Sequence, residues 1–360
     1  MYCPKCGKEN PDDVKVCSSC STKLPKAPRI LDELTPKISR LAIAAFVLGS
    51  LSLFTCGLTT IPAIVLGIIS FILIEKSGGK LTGTKFAVLG VILPIVLSCG
   101  ILLPGILKIR KVAYRQICVT NLSAIGKAML TYANDYDDTF PRSGGKDSIW
   151  MGHIPNWRAE NRFAAYGLNP DGSGGQGSIT SSFYLLVKYS YPSDQRFFVC
   201  KGDPGVTVFN LTDEGVNGQN RVDFWDFGSE PSKHCSYSYH MPFGRYPLTT
   251  SSDPGMAVAA DRNPWMDSPG ASAKSYPGLY NPNGGREAVR YGNAIAHQED
   301  GQNVLFLDIH VGFEKRSFCG INDDNIYTFW DGGDIRIGTP PTIGSEPQGK
   351  LDSLLVHDGP

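Results

Sequence analysis

The chain has 360 residues, of which 42% are hydrophobic and 19% charged, with ten cysteines; this composition excludes both a disordered polymer and a disulfide mini-protein. Its 34 Lys/Arg balance 34 Asp/Glu, but unevenly: residues 1–40 carry a net +3, residues 41–107 a net +2 and residues 108–360 a net −5. A large segment of net −5 does not suit nucleic acid, whose phosphates call for Lys/Arg neutralisation, so no nucleic-acid partner is expected.

Cys3, Cys6, Cys17 and Cys20 open the chain with the spacing C-x2-C-x10-C-x2-C. Two such knuckles bring four soft thiolates into a tetrahedron around Zn2+, and Lys5 and Gly7 supply a polar, turn-permissive backbone. Metal binding supplies about 10–16 kcal/mol in small zinc peptides, which lets a segment of about 25 residues fold almost without an apolar core. Four protein ligands leave no open position, so the expected Zn2+ is structural. The segment CPKCGKENPDDVKVCSSCSTKL resembles the short zinc ribbons that open many bacterial membrane proteins, and departs from them at Ser21, where the second knuckle usually has Gly. The expected domain is 1–24, followed by a linker over 25–40.

No charge occurs from Leu41 to Ile74 or from Phe86 to Leu107. About 20 helical residues cross a hydrocarbon core, so the sequence predicts a transmembrane region over 41–107, with spans at about 41–56, 58–75 and 86–107 and a turn at Cys56-Gly57. Cys56 and Cys99 would then lie in lipid as small hydrophobes. Lys23, Lys26, Arg29, Lys37 and Arg40 precede the first span, and Lys76, Lys80 and Lys85 fill the second loop. The positive-inside rule predicts a multi-pass protein of the cytoplasmic membrane, with the ribbon in the cytoplasm and residues 108–360 outside.

Beyond Pro104, Cys118, Leu122, Ile125, Met129 and Tyr132 step by four and three, one face of an amphipathic helix; the pattern stops at Asp135, and Pro141 forbids its return. The run LLPGILKIRKVAYRQICVTNLSAIGKAMLTYANDYDDTFP over 102–141 resembles the start of pseudopilin-like proteins that carry a C-terminal motif of His, nine residues, then Asp-Gly. Cys118, Asn121, Leu122, Ile125, Gly126, Phe140 and Pro141 match that pattern. His297 through Asp308-Ile309-His310 resembles the C-terminal motif, with ten intervening residues and Ile309 in place of Gly. Phe198-Val-Cys-Lys-Gly-Asp-Pro, Ser236-Tyr-Ser-Tyr and Ala259-Ala-Asp-Arg-Asn-Pro also fit. The resemblance to this type II secretion and type IV pilin-like family implies a long N-terminal helix on an antiparallel sheet with many loops. Pilins normally mature by a cut that leaves a Glu near the start of the helix; Phe86–Leu107 has no Glu, so extraction into a filament is not expected.

Asp308 and His310 stand two apart in a strand-like run and leave on one face, where His297 could join them as a metal, acid–base or hydrogen-bonded cluster. Cys118, Cys200, Cys235 and Cys319 allow three pairings as two disulfides in an oxidising compartment. Gly172–Gly177 spells GxGxxG but follows Asn-Pro-Asp rather than an apolar strand, and reads as a loop. The expected fold class is thus an α+β membrane protein: zinc ribbon, about three transmembrane helices and a pilin-like domain over 108–360. The expected function is a non-catalytic membrane-anchored envelope scaffold, contacting the lipid bilayer and protein partners in the envelope and cytoplasm, with no small-molecule substrate identified. The alternatives are an extracytoplasmic metal-assisted hydrolase using His297, Asp308 and His310, and a surface carbohydrate-binding module using aromatics such as Tyr276 and Tyr280.

Overall fold

Small residues govern how the apolar part of the chain folds. The computed structural model describes residues 1–11, 13–25, 36–52, 54–55, 57–97, 100, 103–191, 194–216 and 218–360; the expectations for Lys26, Arg29, Cys56 and Cys99 lie outside them. The chain divides into two units, Met1–Lys108 and Ile109–Pro360, each taken by itself. In the first, β1 (Lys37–Ile38) pairs in parallel with β2 (Leu81–Thr82), and α1 (Arg40–Leu51), α2 (Thr60–Lys76) and α3 (Thr84–Leu97) pack on one another. Their buried positions are mostly small: Ala42, Ala45 and Gly49 on α1, Ala63, Gly67 and Ser70 on α2, Ala87 and Gly90 on α3. A Cβ added at Gly90 would stand 2.8 Å from Ala45, so this approach depends on the missing side chain. Ser39 caps α1 by accepting from the Ala42 amide and meets the Ser70 hydroxyl at 3.1 Å.

The three expected transmembrane spans are overturned. The helices have 12, 17 and 14 residues, and at 1.5 Å per residue even α2 reaches only about 26 Å against a hydrocarbon core of about 30 Å. Helix α4 (Leu103–Asp135) has 33 residues, but Lys108, Arg110, Lys111 and Arg115 interrupt its apolar part. Among the described residues no helix is long and apolar enough to cross a membrane. The expected multi-pass placement in the cytoplasmic membrane falls with the spans. A charge-free run counts turns as well as helix: α1 stops at Leu51, and Gly57, at φ +86°, turns the chain ahead of α2.

In the second unit, the stripe Cys118, Leu122, Ile125 and Met129 of α4 is fully buried. A two-residue parallel pair, β3 (Ile149–Trp150) with β4 (Gln176–Gly177), and the short α5 (Arg162–Tyr166) lead to α6 (Ile179–Lys188). Ser178 caps α6 and forms a capping box with Ser181. The main sheet comprises β5 (Tyr237–His240), β6 (Ala257–Asp261), β7 (Gln302–Phe306), β8 (Val311–Glu314) and β9 (Leu355–Val356), antiparallel throughout in the order β8-β7-β6-β5-β9.

Both faces of the sheet are buried. Tyr237, Tyr239, Val258, Ala259, Leu305 and Val356 join the core of α4 and α6, while Ala257, Ala260, Val304, Phe306 and Leu355 join Trp265, Tyr280 and Tyr327. A register shift between Ala257 and Ala259 explains why Val258 and Ala259 share a core although they are consecutive.

Candidate metal centre

The ribbon is two short hairpins closed by backbone bonds that the cysteine spacing imposes. Cys3 donates to Lys8 O and Cys17 to Thr22 O, both at 2.9 Å, while Gly7 and Ser21 donate back to Cys3 O and Cys17 O at 2.9 and 3.0 Å. Gly7 and Ser21 have φ of +70° and +55°, which is why a knuckle favours Gly there. Sulfur separations of 3.5 Å for Cys3–Cys20 and 3.6 Å for Cys6–Cys17, with all four atoms within 4.8 Å, suit zinc bonded at about 2.3 Å to four thiolates, whose sulfurs lie about 3.8 Å apart.

Asn10 is a support that the spacing does not reveal. It is buried, its Nδ2 faces Cys17 Sγ at 3.6 Å, and its Oδ1 accepts from the Ser18 amide at 3.1 Å. The amides of Ser19 and Cys20 bring the Cys17 thiol down to about 6, favouring the thiolate that a metal requires. Bound zinc would be held by the four cysteines and supply cross-linking rather than reactivity.

The structure disperses the other expected cluster. Among the described residues, groups of three or more metal-competent side chains occur at Cys3/Cys6/Cys17/Cys20 and at Cys118/Cys200/Asp261/His297; neither includes Asp308 or His310. Those two bond to each other at the exposed β7–β8 turn, His310 stacking on Phe306 at 4.5 Å. His297 lies inside, its Nε2 2.9 Å from Asn303 Nδ2 and 3.3 Å from Asp261 Oδ2. Asn303 escaped sequence reasoning, and Asp261 entered it only within the run Ala259-Ala-Asp-Arg-Asn-Pro, with no role; its local signal was a carboxylate ending an otherwise apolar strand, AVAAD.

Of the four cysteines of the second unit, Cys118 and Cys200 form a disulfide, with Cα atoms 5.6 Å apart. A second bridge is not formed: Cys235 and Cys319 are free, because Cys235 belongs to the α4-side core and Cys319 packs against the opposite one. Burial pushes the Cys235 thiol up to about 12. Tyr276 and Tyr280 pack on Trp265, ring centroids 4.9 and 5.7 Å away, and spend their hydroxyls on Ile337 O and Arg336 O, so they serve the core rather than an exposed aromatic surface. Two buried carboxylates unmarked in the sequence hold the start of α6: Asp358 accepts from Thr180 N at 2.7 Å and Trp150 Nε1 at 2.8 Å, and Asp226 from the Ser178 and Thr180 hydroxyls at 3.1 Å. Burial raises both, Asp226 well above its ordinary value.

Residues 2–24 match the zinc-ribbon domain family. No curated protein and no solved structure matches the chain. The chain therefore opens with a zinc-ribbon domain, and its four clustered cysteines fit a structural Zn2+.

Proposed function

We propose that this chain is a non-catalytic scaffold whose ribbon docks a protein partner and whose larger unit is a pseudopilin-like binding domain. The observation that carries the reading is on the ribbon: Tyr2 and Val16, each just ahead of a knuckle, are 69% and 48% exposed. Their bridge partners are Glu9 and Lys23. A metal-held platform fixes these two apolar side chains at little entropic cost, which suits a small recognition surface. Support for the pseudopilin-like reading comes from the matched residues of 102–141 and from the turn after Asp308. There Ile309 has φ +73°, the backbone that the family's Gly would take. Photo-crosslinking from position 2 of the full chain in its native cell tests the docking role. One discrete adduct, lost in a Val16→Ser background and after zinc removal, is expected; no adduct, or one indifferent to both changes, would contradict it.

A further inference from the structure

The polar groups beneath α4 include four atoms whose chemistry the hydrogen bonds do not use up. Cys118 and Cys200, Asp261 and His297 are all buried, and their ligand atoms lie within 4.8 Å of one another. They come from distant parts of the chain: α4, the loop before β5, the end of β6 and the turn before β7. Asn303 Nδ2 donates to Asp261 Oδ2 at 3.0 Å, which fixes the amide orientation, and the same nitrogen meets His297 Nε2 at 2.9 Å. Nε2 is therefore the lone-pair nitrogen of the ring, the one through which a neutral histidine binds metal.

Nε2 and Asp261 Oδ2, both engaged by the Asn303 amide, stand 3.3 Å apart. Asp261 Oδ1 is buried and finds no hydrogen-bond partner among the described residues. Cys200 Sγ stands 3.8 Å from Nε2. In a tetrahedral zinc site with ordinary bond lengths, nitrogen and oxygen ligands lie about 3.3 Å apart and nitrogen and sulfur about 3.6 Å apart. A purely hydrogen-bonded cluster accounts for the Asn303 amide nitrogen and one carboxylate oxygen; it leaves Asp261 Oδ1 and Asn303 Oδ1 buried without partners among the described residues.

We propose that Cys118, Cys200, Asp261 and His297 are a second, redox-gated site for a thiophilic divalent cation of the zinc class. In the oxidised chain the disulfide closes it. A dithiol reductant opens it by forming its own cyclic disulfide, so that two electrons and two protons pass to Cys118 and Cys200. Zinc then displaces those two protons and binds two thiolates, the His297 nitrogen and the Asp261 carboxylate. A cleft of about 240 Å³, lined by Lys111, Tyr114, Arg115, Lys201, Pro204 and His297, reaches the His297 side of the cluster.

The test counts zinc per chain in the full-length protein after gel filtration, before and after a phosphine reductant, which leaves the same two thiols and competes weakly for zinc. Circular dichroism follows the fold, and a thiol titration follows the disulfide. The expected result is a doubling, from the single zinc of the ribbon to two, that returns to one in reduced His297→Gln and Asp261→Asn. Cobalt loading of the wild type covers the case in which a variant misfolds: a second equivalent with a two-thiolate charge-transfer band is expected only after reduction. One zinc in a folded chain whose Cys118 and Cys200 titrate as free thiols would overturn the proposal. A second zinc that survives His297→Gln, or a disulfide that opens only when the chain unfolds, would do so equally.

Discussion

The ribbon and the sheet unit solve the same problem with opposite means. Residues 1–24 bury little beyond Cys3, Cys17 and Leu24, so their order rests on a metal. The unit from Ile109 onward buries Leu122, Ile125, Phe183, Phe198, Tyr237 and Leu305 in one core and Trp265, Tyr280 and Tyr327 in another, so its order rests on packing. A coordination bond concentrates stability in four residues, whereas packing spreads it over dozens. The two regions should therefore fail under different insults.

The largest separation is expected from the metal. Cys17→Ser removes a ligand worth its share of about 10–16 kcal/mol, and the oxidised full chain should lose its zinc on gel filtration while its near-ultraviolet aromatic spectrum stays intact. Leu122→Ala acts on the other side. Leu122 is fully buried on α4, and deletion of its side chain should cost about 2–5 kcal/mol of the larger unit's resistance to urea with zinc content unchanged.

A pH effect sharpens the contrast, because among the described residues the buried carboxyls all belong to the packed unit. Burial pushes Asp324 from its usual 3.8 up to about 8, despite the Ser353 amide donating to it at 2.7 Å. The folded chain thus keeps a proton that the unfolded chain releases, so this group's contribution falls as pH rises from about 4 to about 8 and is level above that. Asp324→Asn should remove that part of the slope, measured as the wild-type minus variant difference in urea midpoint across the range. The smallest effect belongs to the ribbon: Ser21 holds φ +55°, and Ser21→Gly should relieve roughly 1 kcal/mol, about a fivefold gain in zinc affinity by competition with a chelator.

What the sequence made legible was local. Four cysteines at fixed spacing name their own partner, and the stripe from Cys118 to Tyr132 repeats every three or four residues along one buried face of α4. The apolar stretch misled because hydropathy sums over a window without marking where helices stop; Gly49, Gly67 and Gly90 direct α1, α2 and α3 onto each other, a feature invisible to a charge count. The buried cluster was hidden for another reason. Asp261 and Asn303 are 42 residues apart in sequence and meet across β6 and β7, while Asp308 and His310 face outward at the β7–β8 turn, so the two-residue spacing proposed the wrong partners for His297. The β6 irregularity likewise placed Val258 and Ala259 in one core without a period-two signal.

Amide hydrogen exchange on the full-length chain, with and without a zinc chelator, tests this division most directly. The amides of Cys3, Gly7, Cys17 and Ser21, which close the two knuckles, should lose all protection on chelation, while those of β5, β6 and β7 keep theirs. Knuckle amides that stay protected without zinc, or a sheet that loses protection along with them, would contradict it.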